Sequence, residues 1–70
     1  MHLKNLVDII KARRAALQVT QENLALLSGV SLRTLKQFER GKGNPTLGTL
    51  EKLADTLGLE LELKVKTNHQ

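Results

Sequence analysis

Seventy residues with a formal net charge of +4, from 11 Lys+Arg against 7 Asp+Glu, make one domain near the lower limit for an independent core. There is no cysteine and one aromatic residue, Phe38, so disulfides and thiolate metal sites are excluded and aliphatic side chains must fill a core of packed helices. The basic balance favours an anionic partner, no apolar run reaches the length of a membrane span, and the N-terminus lacks the layout of a signal peptide. The expected protein is cytoplasmic and helical, with oligomerisation available to support its small core.

The first helix is expected over about Leu3 to Leu17. Leu3, Leu6, Val7, Ile10 and Leu17 recur there at helical spacing, with Lys4, Asp8, Lys11, Arg13 and Arg14 mostly off that face. "QVT" breaks the pattern, Thr20 is an N-cap for a second helix "QENLALLS", and Gly29 marks its end. Ser31 caps a third helix, "LRTLKQFER", with Leu35 and Phe38 on one face, and "GKGNP" is a loop. Thr46 opens a fourth helix carrying Leu47, Leu50, Leu53, Ala54 and Leu57, and Gly58 stops it.

From Leu59 to Lys66 the period changes to two. Leu59, Leu61, Leu63 and Val65 share one side; Glu60, Glu62, Lys64 and Lys66 share the other, as in a half-buried strand. The expected class is therefore mainly α: four helices over residues 1–58, one C-terminal β-strand over 59–66, and a frayed tail over 67–70. No segment repeats.

Residues 21–40 hold a joint pattern. Ala25 is small where two helices should cross, Gly29 occupies the tight turn at which positive φ costs least, and Leu24, Val30, Leu35 and Phe38 fall where each points into a shared core. That is a helix-turn-helix arrangement. An ordinary helical hairpin also places a glycine in its turn, but the outer face of the third helix argues otherwise. Between Ser31 and Asn44 the cations Arg33, Lys36, Arg40 and Lys42 are opposed only by Glu39.

Such a helix enters the major groove with its first two turns at the base edges. Arg33 suits a bidentate contact to guanine and Gln37 a contact to adenine, with Lys36 beside them. Leu32 either rests on a thymine methyl or is a stray surface leucine. Phosphate contacts are expected from Thr20 and Gln21 at the start of the second helix, where free N–H groups and the dipole favour anions. Thr34, Arg40, Lys42 and Asn44 flank the other side. Gly48, costly in a first helical turn, signals either close approach to DNA or simple tolerance.

The run "TQENLALLSGVSLRTLKQFERGKGNPTLGTLEKLADTLG" resembles the lambda-repressor/Cro-like, or XRE, helix-turn-helix family, over about residues 14–58. The resemblance implies a four-helix lambda-repressor-like domain that binds operator DNA as a homodimer. It places Gln21 at the DNA backbone and bases, Leu32 and Arg33 at base-reading positions, and Arg14 with Glu39 as a structural pair tying the first helix to the recognition helix. Many relatives continue after Gly58 into a fifth helix. The strand found here instead resembles HipB-type antitoxins, whose C-terminal strands pair between subunits; that implies a toxin partner, a HipA-like kinase.

Symmetry tests whether the strand can pair with its own copy. In an antiparallel self-pair, opposed residue numbers have a constant sum. Odd sums set apolar side chains against charged ones, and centring on Glu62 or Lys64 opposes like charges. Centring on Leu63 sets Glu60 against Lys66, Glu62 against Lys64, and Leu61 against Val65. The expected contact is an antiparallel ribbon between subunits, with Leu59, Leu61, Leu63 and Val65 covering the helices; the alternatives are a strand added to another protein or a tail that is disordered when alone.

The reading is a DNA-binding repressor acting on the bacterial nucleoid, as the antitoxin of a HipBA-like system that autoregulates its operon. A stand-alone or phage-type repressor, and an interaction module that keeps the fold without binding DNA, are the alternatives. An enzyme is not expected. His2 and His69 lie near the ends, no carboxylate pair marks a pocket, "GKG" at 41–43 does not follow a strand, and no cofactor or metal is called for.

Overall fold

The computed structural model describes residues 2–65. Four helices follow in order: α1 Leu3–Ala16, α2 Gln21–Ser28, α3 Leu32–Glu39 and α4 Leu47–Thr56. Thr20, Ser31 and Thr46 each hold an extended backbone and accept a hydrogen bond from the N–H three residues on, at Asn23, Thr34 and Thr49. These side-chain caps satisfy N–H groups that a helix start otherwise leaves open, and fix where α2, α3 and α4 begin.

Three helix ends share one turn. Lys42 N–H donates to Gln37 O and Gly41 N–H to Phe38 O after α3, while Leu59 N–H donates to Ala54 O and Gly58 N–H to Asp55 O after α4. After α1 the same pair runs from Val19 N–H to Arg14 O and from Gln18 N–H to Ala15 O. This is the Schellman turn, which needs a left-handed residue just past the helix. Gly41 and Gly58 supply it at φ 73° each, but α1 uses Gln18 at φ 57°. Helix α1 consequently ends at Ala16, and Leu17, expected on its apolar face, is the C-cap and 44% exposed.

Among the described residues ten apolar side chains form the core, with Leu24, Leu35, Phe38, Leu53 and Leu57 fully enclosed. Helix α2 packs on both α3 and α4, and α1 packs on α3. Ala25 is buried and Gly29 turns the chain at φ 77° between α2 and α3. Leu47 departs from expectation: as the first residue of α4 it overhangs the core and stays exposed, at the rim of an apolar groove.

No strand forms among the described residues. Residues 59–65 leave the α4 turn with Leu59 half-buried against the core, while Leu63 and Val65 are 87% and 93% exposed. The physical reason is that a strand needs a partner edge, and the other described residues, all helix, turn or loop, offer none. Lys66 and the tail 67–70 lie outside the described residues.

Candidate nucleic-acid interface

Helix α3 divides cleanly by face. Leu35, Phe38 and Glu39 are buried, while Arg33, Lys36 and Arg40 are exposed at spacings of three and four. Lys42 and Asn44 follow, also exposed. None of these four cations is paired with a carboxylate among the described residues, where the ion pairs are Lys4–Asp8 and Arg14–Glu39. Leu32 is less free than expected. It is half-buried, because its side chain leans on the core from the first turn of α3.

Glu39 would be an intruder in a basic face if it were exposed, but only 6% of it is. The Arg14 guanidinium clamps its carboxylate from α1, Nε donating to Oε2 at 2.7 Å and Nη2 to Oε1 at 2.9 Å. Arg14 Nη1 also donates to Val19 O at 2.9 Å. A fork of this kind suits the planar geometry of arginine. Gln21, expected to face DNA, turns its amide nitrogen to Glu39 Oε1 at 2.9 Å. The carboxylate at the end of α3 draws the amide inward, so one network joins α1, the start of α2 and the end of α3.

The remaining expected contacts separate into two groups. Thr34, Gln37, Lys42 and Asn44 line one depression with Phe38 and Pro45, shared with Thr46 and Thr49 at the start of α4. Arg40 lines a different one with Lys4 and Lys11 of α1. Gly48 has only the Thr46 hydroxyl near the position of an added Cβ, at 3.8 Å, so α4 itself does not require a glycine there. Thr20 is exposed at the cap of α2.

Two residues escaped the sequence reading. Arg13 Nε donates to Leu57 O at 2.9 Å, across 44 residues of chain, and so ties α1 to the end of α4. Ile9 is 53% exposed beside Leu6, Ile10, Leu50, Ala54, Leu59 and Leu61, in the apolar groove between α1, α4 and the extended tail. Its adjacency to Ile10, off the main apolar stripe, was the available signal. Among the described residues no helix is long and apolar enough to cross a membrane.

A family profile described as helix-turn-helix matches residues 10–64. The chain belongs to the helix-turn-helix family. The match contains the XRE-type resemblance of residues 14–58 and extends it back into α1 and along the tail to residue 64, and the family's motif implies DNA binding. Among helix-turn-helix relatives, the chain is 38% identical over 50 residues to the cryptic phage CTXphi transcriptional repressor RstR of Vibrio cholerae, covering 71% of this chain and 45% of RstR. It is 40% identical over 70 residues to the uncharacterized HTH-type transcriptional regulator y4dJ of Sinorhizobium fredii, covering 97% of this chain and 91% of y4dJ. A third, the uncharacterized HTH-type transcriptional regulator MJ0272 of Methanocaldococcus jannaschii, is 40% identical over 53 residues, covering 76% and 80%. The chain thus spans less than half the length of RstR and most of the other two.

Proposed function

We propose that the protein is a homodimeric, sequence-specific transcriptional repressor whose α3 lies in the major groove of operator DNA. The observation that carries this reading is the outward side of α3 and its following loop. There Arg33, Lys36, Arg40 and Lys42 stand exposed with no carboxylate partner among the described residues, on a helix whose other face is locked by the core and by Arg14. Arg33 and Lys36 read bases together with Gln37 and Leu32. Thr20, Thr34, Lys42 and Asn44 hold phosphates, and Arg40 does so from the side of α1. Gln21 acts at one remove, by fixing Glu39 and with it the angle of α3.

The test is selection of duplexes from a random library, followed by substitution. Arg33→Ala is expected to lose about 1–3 kcal/mol of specific binding and to relax the choice of base at one position. Unchanged selection by the variant, or none by the wild type, would favour the interaction module instead.

The second copy supplies the partner edge that residues 59–65 lack among the described residues. Two tails pair antiparallel about Leu63, and their apolar side closes the groove lined by Leu6, Ile9 and Leu50. On this reading the protein is the antitoxin of a HipBA-like system, with a HipA-like kinase as toxin partner, and it represses its own operon from the nucleoid. The alternating tail supports that assignment. The similarity to RstR, named as a phage repressor, favours a second reading, a stand-alone phage-type repressor. Co-purification of a kinase encoded beside the gene separates the two.

A further inference from the structure

Two consecutive arginines on α1 make long-range ties in different directions. Arg14 holds Glu39 at the end of α3. Arg13 donates from Nε to the carbonyl of Leu57, the C-cap of α4, at 2.9 Å. Neighbouring residues on a helix point about 100° apart, so one turn of α1 reaches both ends at once. Among the described residues the Arg13 bond is the one side-chain hydrogen bond between α1 and α4. The two helices pack chiefly on others, α1 on α3 and α4 on α2.

The carbonyl that Arg13 takes is one the turn leaves over. The Schellman bonds after α4 use Ala54 O and Asp55 O, and no backbone N–H among the described residues reaches Leu57 O. A guanidinium there also meets the negative end of the α4 dipole. Its Nη2 lies 3.4 Å from where a Cβ on Gly58 would stand, so the group lies along the turn from which residues 59–65 leave. Past that turn the tail borders the groove between α1 and α4, beside Ile9 and Leu50.

Capping alone needs only a local donor. Arg13 instead fixes the exit of the tail to α1, the same helix to which Arg14 fixes α3. In the proposed dimer the tails pair about Leu63, so their direction decides the separation and angle of the two copies of α3. Half-site spacing follows from that geometry. We propose that Arg13 is a positioning residue for operator spacing, holding the dimerisation tail in a fixed relation to the reading helix. This rests on the dimeric DNA-binding reading above.

The experiment takes the half-site that the wild-type chain selects and duplicates it in duplexes whose spacers differ by single base pairs. Each added base pair turns the second half-site by about 35°. The wild type is expected to bind one spacing at least about tenfold more tightly than its neighbours, since a mismatch must be absorbed by deforming the DNA. Arg13→Met keeps the stem and loses the bond. It is expected to keep the half-site preference and the dimer, while the spacing ratio falls to about two- or threefold. Arg13→Lys, whose ammonium still reaches a carbonyl, is expected to give an intermediate ratio, and it carries the test if Arg13→Met does not fold. A spacing profile as sharp as the wild type's, with only a lower urea midpoint, reduces Arg13 to a cap and overturns the role. Loss of association in sedimentation, or of base choice within the half-site, overturns it too, making Arg13 a dimer or DNA contact. A wild type that binds single half-sites as a monomer overturns the dimer reading beneath it, so the failures are distinguishable.

Discussion

Arg14→Ala is expected to destabilise the folded chain by about 3–5 kcal/mol, the usual cost of stranding one member of a buried ion pair. Glu39 would lose its two guanidinium bonds and keep only the Gln21 amide, in a site where 6% of the residue reaches solvent. The Val19 carbonyl would lose its donor as well. A domain of this size has a total stability toward the low end of roughly 5–15 kcal/mol, so most of the margin goes with one side chain. Urea unfolding followed by circular dichroism measures the loss. Replacing both partners with leucine should recover most of it, since a buried pair exchanged for apolar groups is often close to neutral. A midpoint for Arg14→Ala within experimental error of wild type would show that solvent, not Arg14, satisfies the carboxylate.

Leu63→Asp should break the proposed dimer while leaving the single subunit folded. Leu63 is 87% exposed in the single chain, so the subunit itself gains little from it. On the symmetry axis of the proposed ribbon it is buried twice, at about 1.5–3 kcal/mol for each leucine. The dissociation constant should then rise by roughly two to four powers of ten, more if the two aspartates meet. Sedimentation equilibrium reads this directly. Leu26→Asp is the control, because Leu26 is also highly exposed, at 80%, but lies on α2 away from the groove. Equal association for Leu63→Asp and wild type would remove the ribbon; weakening by Leu26→Asp alone would move the interface to α2.

The elements that declared themselves in the sequence are those with local signals. Thr20, Ser31 and Thr46 are capping side chains whose partners lie three residues away, and Gly29 sits in its turn by a preference any sequence displays. The end of α1 was blurred for the opposite reason, since Gln18 fills a position where glycine would have announced the stop. The anchoring of α3 was legible only through family resemblance. Nothing in the local pattern brings Arg14 to Glu39, 25 residues on, or turns Gln21 inward to the same carboxylate. Arg13 reaching Leu57 O is still further from local rules. For the tail, alternation conveys a period and a face. It does not convey a partner, and the helices of the same chain supply none.

The division of labour on α3 bears on how such a protein changes its target. Glu39, which sets the tilt of the helix, takes all its partners from α1 and α2. Arg33 and Lys36, which face outward, take part in no side-chain bond among the described residues. Addressing and mounting are thus written in separate residues. On the proposed reading, new operator preferences are sampled at positions 33 and 36 with little penalty to folding, whereas a transplanted α3 is expected to work only in a host that also carries the arginine at 14.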